Sequence, residues 1–247
     1  AWGFSPARAQ QAVVKEQPKV MKTYPFSDPD PVAQPTHLYY PYFRFDGFAA
    51  EGKEQSWKSV DMENDYIQLT LFPEIGGKVW GAIDKTTGKA FVYSNGVVKF
   101  RDIAMRGPWV SGGIEFNFGI IGHAPSSSTP VDYWVKKKED GSVSCYISSY
   151  EWLTRTVWLV EVNLPKDKAY FTTRTTWYNQ SSLSQPYYQW MNAGYPVGDN
   201  AEFCYPGNHY IGHGGEVAQF PIDEEGHNIG WYESNNFGNS KSYHVLG

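Results

Sequence analysis

The feature that most constrains this chain is a series of short segments in which apolar and polar residues alternate. Ile67, Leu69 and Leu71 alternate with polar side chains, the pattern of a strand with one face buried. Similar segments recur at hairpin spacing, and no amphipathic helix longer than two turns accompanies them. The segments read as strands are 66–72, 78–84, 89–93, 142–150, 153–164, 169–179, 187–193 and 201–205. This series predicts an all-β sandwich or barrel.

Length and composition exclude several classes of protein. A chain of 247 residues can bury a core without metals or disulfides. With 17% aromatic and 19% charged residues, the composition is that of a globular protein rather than a disordered one. The net charge is −5 and the longest basic run is 136–138, so the basic stripe that nucleic acid requires is missing. No apolar run is long enough to predict a membrane span.

The two ends of the chain carry separate expectations. Residues 1–36 are rich in Pro, Gln, Lys and Asp and have neither strand nor helix periodicity, so we expect an extended leader before a single β-sandwich domain, residues 37–247. Ala7-Arg8-Ala9 resembles the end of a secretory signal, which favours a periplasmic or secreted location over a flexible arm. Residues 241–246 read as the start of an unpaired strand, so we expect the native polypeptide to continue.

Cysteine and histidine spacing predicts no metal site and no cofactor. Cys145 and Cys204 lie in strand-like segments, where they are either a disulfide or, as we favour, two buried thiols. His209 and His213 have the i, i+4 spacing of helical zinc ligands, but the glycines around them disfavour a helix. His209 is therefore interpreted as a loop residue that contacts a sugar or faces solvent.

Three blocks of residues, in order along the chain, resemble the galactose-mutarotase-like superfamily of β-sandwiches. The first is 71–80 with Asp84 and Gly88, the second is 109–119 with His123, and the third is 177–179 with 188–193. Within that superfamily the chain is similar to a poorly characterised bacterial domain family that precedes tetratricopeptide repeats. The match runs from about residue 40 to the end.

The resemblance implies a β-supersandwich of two large antiparallel sheets, here lacking its last strands, with a saccharide on the concave face. It also implies a C-terminal repeat region as a partner. Mutarotases carry a histidine after the asparagine of the third block, where this chain has Trp190-Met191-Asn192. The late glutamate that serves mutarotases as general base has no counterpart either. Glycoside hydrolysis or aldose epimerisation therefore stays open.

The second block indicates chemistry on its own. Glu115 and Asn117 are two residues apart, so both point to one face of an extended strand. A carboxylate and an amide side by side can bind vicinal hydroxyls, and the carboxylate can act as acid or base. The alternative is a buried glutamate satisfied by backbone amides or by Arg106 or Arg155. His123 begins a loop rich in Ser and Pro and is the second catalytic candidate, with a structural role as its alternative.

The predicted ligand is a saccharide. Trp109, Trp134, Trp177 and Trp190 are candidate sugar platforms, and each has the alternative of filling the core. A rival function is a non-catalytic docking module of a larger repeat protein. A sugar site requires a groove with an exposed tryptophan, whereas docking requires a flat apolar patch. The predicted substrate-binding residues are Trp109, Asn117, Trp190, Asn192, Tyr205 and His209.

Overall fold

The computed structural model describes residues 11–25, 49–104, 107–119, 123–186, 188–196, 198, 201–211, 215–232, 234 and 244–245. These residues contain strands and one short 3-10 helix, Pro125–Ser128, but no α-helix, which confirms the all-β prediction. None of the described segments is a helix that is long and apolar enough to cross a membrane. The chain divides into two compact units, 1–196 and 197–247, which are taken separately below.

The described strands are numbered in chain order. They are β1 (Val13–Tyr24), β2 (Lys53–Glu63), β3 (Ile67–Phe72), β4 (Lys78–Asp84), β5 (Lys89–Val92), β6 (Val97–Lys99), β7 (Arg101–Ala104), β8 (Gly107–Trp109), β9 (Ile114–Phe118), β10 (Asp132–Lys137), β11 (Val143–Glu151), β12 (Thr156–Leu164), β13 (Thr172–Asn179), β14 (Gln189–Ala193), β15 (His209–Ile211), β16 (Val217–Gln219) and β17 (His244–Val245).

The first unit contains two large sheets. The larger sheet has the order β14-β9-β4-β3-β2-β1-β6, with β5 also paired to β4. Its pairings are antiparallel except that of β1 with β6, which is parallel. The smaller sheet has the order β10-β11-β12-β13, and β7 pairs with β8. Neighbours in sequence are mostly neighbours in the sheets, as the hairpin spacing predicts.

The inner faces of the two sheets enclose the main core. Phe118 of the larger sheet stacks on Trp158 of the smaller one, with ring centroids 4.5 Å apart and planes 6° from parallel. The other buried members alternate along their strands, as a two-sheet sandwich requires. They include Val60, Met62, Ile67, Leu69, Leu71, Val79, Phe116, Cys145, Ile147, Val160, Val162 and Leu164. The predicted β-sandwich is confirmed.

A second apolar cluster covers part of the other face of the larger sheet. Because of it, Leu71 and Phe72 are both fully buried although they point to opposite faces of β3. The alternation in 66–72 predicts a half-buried strand, whereas this strand is covered on both sides. The cluster consists of Met21, Trp57, Phe72, Ile75, Trp80, Val98, Phe100 and Val110.

The segment interpreted as part of an extended leader contributes a strand to the larger sheet. β1 pairs with β2 from Val13 to Thr23 and with β6 at its end. Most β1 side chains are exposed, and only Met21 and Thr23 are buried, Thr23 accepting a hydrogen bond from Trp57 Nε1 at 2.9 Å. With most of its positions solvated, β1 lacks the apolar alternation that marks a strand in a sequence. Residues 1–10, including the signal-like Ala7–Ala9, lie outside the described residues.

The second unit holds a small sheet of order β16-β15-β17. The predicted strand at 201–205 is wrong, because that stretch makes only an isolated bridge between Glu202 and Trp231. The unpaired strand start predicted at 241–246 is in part β17, which pairs with β15. The prediction that 37–247 is one domain stays a prediction, since the sandwich described here lies within residues 1–196.

The two cysteines are free thiols in different surroundings. Cys145 is buried in the main core, where desolvation raises the pKa of its thiol to about 12, whereas Cys204 is exposed. The expectation of two buried thiols is therefore wrong for Cys204. Since the thiolate is the nucleophile, we expect an aromatic disulfide reagent to titrate one thiol in the folded protein and two in denaturant. Cys204→Ser should leave no reactive thiol until unfolding. Two equivalents at native pH 8 would contradict the burial of Cys145.

Candidate functional site

β9 and β14 bring four predicted site residues onto one face of the larger sheet. Glu115 pairs directly with Asn192, and Asn117 pairs directly with Trp190. Directly paired residues point to the same side of a sheet, and side chains two apart on a strand share a face. This is the face opposite to Phe116 and the rest of the main core. The prediction that Trp190 and Asn192 share a face is confirmed.

Glu115 is the centre of a polar network on that face. It is only 2% exposed, and its Oε1 accepts hydrogen bonds from Asn117 Nδ2 at 2.6 Å and from His123 Nδ1 at 2.5 Å. Asn117 is fixed in turn, because its Oδ1 accepts a hydrogen bond from the backbone N–H of Ala124 at 2.8 Å. The strand and the loop that follows it therefore position one carboxylate, one amide and one imidazole together.

Lys78 is a member of this network that the sequence analysis missed. Its Nζ lies 3.9 Å from Glu115 Oε2 and donates a hydrogen bond to the carbonyl of Val110, and the side chain is 2% exposed. Desolvation lowers the pKa of Lys78 to about 8, while the charge of Glu115 acts in the opposite direction. Among the described residues, the buried charged partner of Glu115 is thus a lysine from the neighbouring strand β4. The side chain of Arg106 lies outside the described residues, so that alternative stays a prediction.

Two half-buried tryptophans flank the network. The His123 ring is close to both, with centroids 4.7 Å from Trp190 and 5.8 Å from Trp109, and Lys78 Nζ is 5.9 Å from the Trp109 ring. The indole Nε1 atoms of both tryptophans and Oε2 of Glu115 are buried and have no hydrogen-bond partner among the described residues. Buried polar atoms are nearly always satisfied, so three unsatisfied atoms in one cluster call for an explanation.

The glycine pair before β9 brings the backbone close to β4. Gly113 has φ +66°, and a Cβ there would lie 2.3 Å from the carbonyl oxygen of Val79. Gly113 also binds the carbonyl of Tyr93 through its N–H and the N–H of Gly194 through its carbonyl. Only glycine combines this positive φ with so close an approach to Val79, because it has no Cβ. The turn therefore fixes the start of β9 against the end of β14, and so fixes the spacing of the site residues.

The arrangement is suited to binding polyhydroxylated ligands and to proton transfer. With Nδ1 of His123 on the Glu115 carboxylate, the ring Nε2 is the atom left to face a ligand. A histidine oriented by a carboxylate is a common acid–base arrangement. Among the described residues that contact Glu115, none is a second carboxylate. Glu115 and His123 are in contact, and their role as a catalytic pair stays a prediction.

The other predicted tryptophans have different surroundings. Trp177 lies edge-on to Phe118 at 5.5 Å, against the main core, which is the core alternative. Trp134 lies on the outer face of the smaller sheet, 46% exposed and stacked on Tyr146 at 4.7 Å. Neither joins the network around Glu115.

Tyr205 and His209 belong to the second unit. His209 is the first residue of strand β15, so its interpretation as a loop residue is wrong. The Tyr205 ring packs edge-on against Phe220 at 5.3 Å, and His209 Nδ1 hydrogen-bonds Asn208 Oδ1 at 2.8 Å. Their role as sugar ligands stays a prediction. His213 and the side chain of Arg106 lie outside the described residues.

One cluster of potential metal ligands occurs among the described residues, at Asp223, Glu225 and His227 in the second unit. Asp223 Oδ1 already accepts hydrogen bonds from the backbone N–H groups of Glu225 and His227, and these contacts lower the pKa of Asp223. An acidic turn of this kind is held together by its own hydrogen bonds.

Two comparisons place the chain among known proteins. The family model described as a domain of unknown function, DUF5107, matches residues 34–247. The crystal structure of a TPR-domain containing protein from Parabacteroides distasonis ATCC 8503 is similar, with a TM-score of 0.78 and 23% sequence identity. The similarity covers 90% of this chain and 38% of that one, so this chain spans well under half the length of that relative. At this identity the likeness establishes the fold alone.

Proposed function

This chain belongs to the DUF5107 family, and on that premise we propose that it is an exported domain that binds a saccharide on the face carrying Glu115. The sugar lies over His123, between Trp109 and Trp190, with Asn117 and Asn192 in the polar floor. We also propose that the β-sandwich is of the galactose-mutarotase-like type. The order of the three sequence blocks supports this.

The observation that carries the proposal is the cluster of unsatisfied polar atoms between two partly exposed indoles. The apolar face of a pyranose stacks on indole, and its hydroxyls require donors and acceptors nearby. Oε2 of Glu115 is an unused acceptor, and Nε1 of Trp109 and of Trp190 are unused donors. Because these atoms are buried, a sugar would satisfy them once the flanking side chains move aside to admit it.

Binding without turnover is the form of the function that the site supports best. Hydrolysis of most glycosides needs two carboxylates about 5–10 Å apart. The Glu115 network contains one carboxylate, and its charge is shared with Lys78 and His123. The mutarotase histidine of the third block is replaced as well. Glu115 and His123 become the catalytic pair if turnover is found.

A docking role is the second candidate. The Parabacteroides protein is described as containing a TPR domain and is much longer than the matched region, which fits a repeat region beside this domain in the native polypeptide. Two bulky side chains of the first unit, Trp152 and Leu183, are 66% and 69% exposed and could contribute to an apolar docking surface. The periplasmic or secreted location is part of the proposal and rests on the signal-like residues 7–9.

Trp190→Ala tests the saccharide site. We expect a glycan array to identify a ligand, and the variant to bind it at least tenfold more weakly, about 1.4 kcal/mol, in isothermal titration calorimetry. The thermal midpoint should change little, because Trp190 is partly exposed and lies outside the main core. Trp134→Ala is the matched control and should bind like the unmodified protein. Loss of fold in Trp190→Ala would support the core alternative, and turnover of the glycan would contradict binding alone.

A further inference from the structure

A cavity of ≈ 560 Å³ lies at one end of the smaller sheet, away from the network around Glu115. It opens between the turn that joins β11 to β12 and the segment that follows β13. Its lining includes Tyr150, Arg155, Gln180, Ser182 and Gln185. The volume falls within the range of small-molecule sites, and all of these residues belong to the first unit.

Arg155 brings an uncompensated positive charge to this cavity. Its side chain is exposed, and no acidic residue is part of the lining. Among the described residues, Arg155 makes neither an ion pair nor a side-chain hydrogen bond. A guanidinium has a planar fork of donors that matches a carboxylate with two parallel hydrogen bonds. The cavity therefore selects an oxyanion as the ligand group.

The backbone of Arg155 is unusual in a way that favours a role for its side chain. Its φ is +55°, in the left-handed region, which glycine and asparagine adopt readily and arginine adopts rarely. The turn before it is rigid, because Glu151 Oε2 accepts hydrogen bonds from the backbone N–H and the hydroxyl of Thr154 at 2.7 and 2.6 Å. A non-glycine residue held in such a conformation by its surroundings is a common property of binding sites.

The remainder of the lining suits a sugar ring. Tyr150 is 36% exposed and packs edge-on against the 66% exposed Trp152, with centroids 5.0 Å apart. Gln185 donates from Nε2 to Ser181 Oγ at 3.0 Å, which leaves its carbonyl oxygen free to accept from a hydroxyl. An aromatic surface, amides and hydroxyls around one cation are what a sugar with a carboxylate requires.

We propose that this cavity is a second binding site, for a carboxylate-bearing saccharide of the uronic acid class. The carboxylate pairs with the Arg155 guanidinium, the ring lies against Tyr150, and the hydroxyls bind Gln180, Ser182 and Gln185. The site does not depend on the one around Glu115, and either can exist without the other.

The test uses methyl glucuronide and its methyl ester, which differ only in the charge of the carboxyl group. By isothermal titration calorimetry at low salt, the acid should bind at least tenfold more tightly than the ester. Arg155→Asn should lower the affinity for the acid at least tenfold. Its thermal midpoint should be unchanged or higher, because asparagine tolerates positive φ. The control, Lys168→Asn, removes an exposed positive charge in the turn beyond the other end of β12 and should bind the acid normally.

Equal affinity for the acid and its ester would overturn the proposal, as would no binding of either. Unchanged affinity in Arg155→Asn would place the acid elsewhere and would also overturn it. Acetate that binds as tightly as the glucuronide would reject the saccharide part, since the ring would then contribute nothing. The glycan found for the Glu115 face is unaffected by these outcomes, so the two proposals fail separately.

Discussion

Glu115→Gln is expected to lower the free energy of unfolding by about 3 kcal/mol at pH 7. The substitution keeps the shape of the side chain but removes the negative charge from a network in which Glu115 and Lys78 are both 2% exposed. Removing one partner of a buried ion pair costs more than the pair itself contributes, because the other charge is left in the protein interior. Asn117 and His123 also lose a charged acceptor for their hydrogen bonds.

The loss should depend on pH through Lys78. Burial lowers the pKa of Lys78 from 10.5 to about 8, so between these values the unfolded chain holds a proton that the folded chain has released. The contribution of Lys78 therefore makes stability rise as pH rises through this window. Without the charge of Glu115, the pKa of Lys78 falls further and the window opens at lower pH. The deficit of Glu115→Gln should then shrink as the pH is raised from 6 to 8.5.

Urea unfolding of both proteins at pH 6, 7 and 8.5 measures this effect. Glu63→Gln is the matched control, because Glu63 pairs with Lys85 at 2.5 Å but both side chains are at least one-third exposed. Exposed ion pairs contribute about 0–1 kcal/mol, so the control should differ little from the unmodified protein. Equal effects of the two substitutions, or a deficit that grows with pH, would show that Lys78 and Glu115 are not a buried charge pair.

Trp158→Ala is expected to cost about 3–5 kcal/mol, the range for deleting a fully buried aromatic side chain. Trp158 is 1% exposed and stacks on Phe118 across the sandwich. Its removal leaves a cavity between the two sheets that neighbouring side chains fill only in part. A loss of this size is a large share of the stability of an ordinary domain, so the variant should unfold well below the unmodified protein in thermal and urea denaturation.

Trp152→Ala is the control for Trp158→Ala. It removes the same kind of side chain from the turn that joins β11 to β12, at a position that is 66% exposed, and it should change stability by less than about 0.5 kcal/mol. Equal losses of stability in the two variants would contradict the burial of Trp158 between the sheets.

Strand alternation was a sufficient guide for much of the fold. The pattern of 66–72, 142–150 and 169–179 corresponds to β3, β11 and β13, with ends shifted by one to three residues. Alternation does not predict strands whose position in a sheet is determined by packing and pairing with other strands. β1 has polar side chains on both faces and contains Pro18, so its pairing with β2 and β6 has no local signal.

The site was predicted in part, for a related reason. Glu115 and Asn117 are two residues apart, which places them on one face of any extended strand, so this part of the site follows from the local secondary structure alone. The partnership with Lys78 depends on a pairing of β4 with β9, which brings together residues 37 positions apart, and no spacing rule reports it. A lysine next to a Gly-Gly turn and before buried residues was the available clue. Arg155 was considered only as a partner for Glu115, because its φ is visible only in the structure.

The position of β1 has a practical consequence for how the protein should be divided. The family match begins at residue 34, yet β1 lies before it and is hydrogen-bonded on both sides, to β2 and β6. A fragment cut at the family boundary would remove the partner of β2 along an eleven-residue pairing, would leave the backbone groups that β2 directs to β1 unpaired and would uncover Trp57. Such an open edge invites pairing between molecules. The smallest piece worth expressing for binding assays therefore starts ahead of residue 13, upstream of the boundary that sequence matching alone would choose.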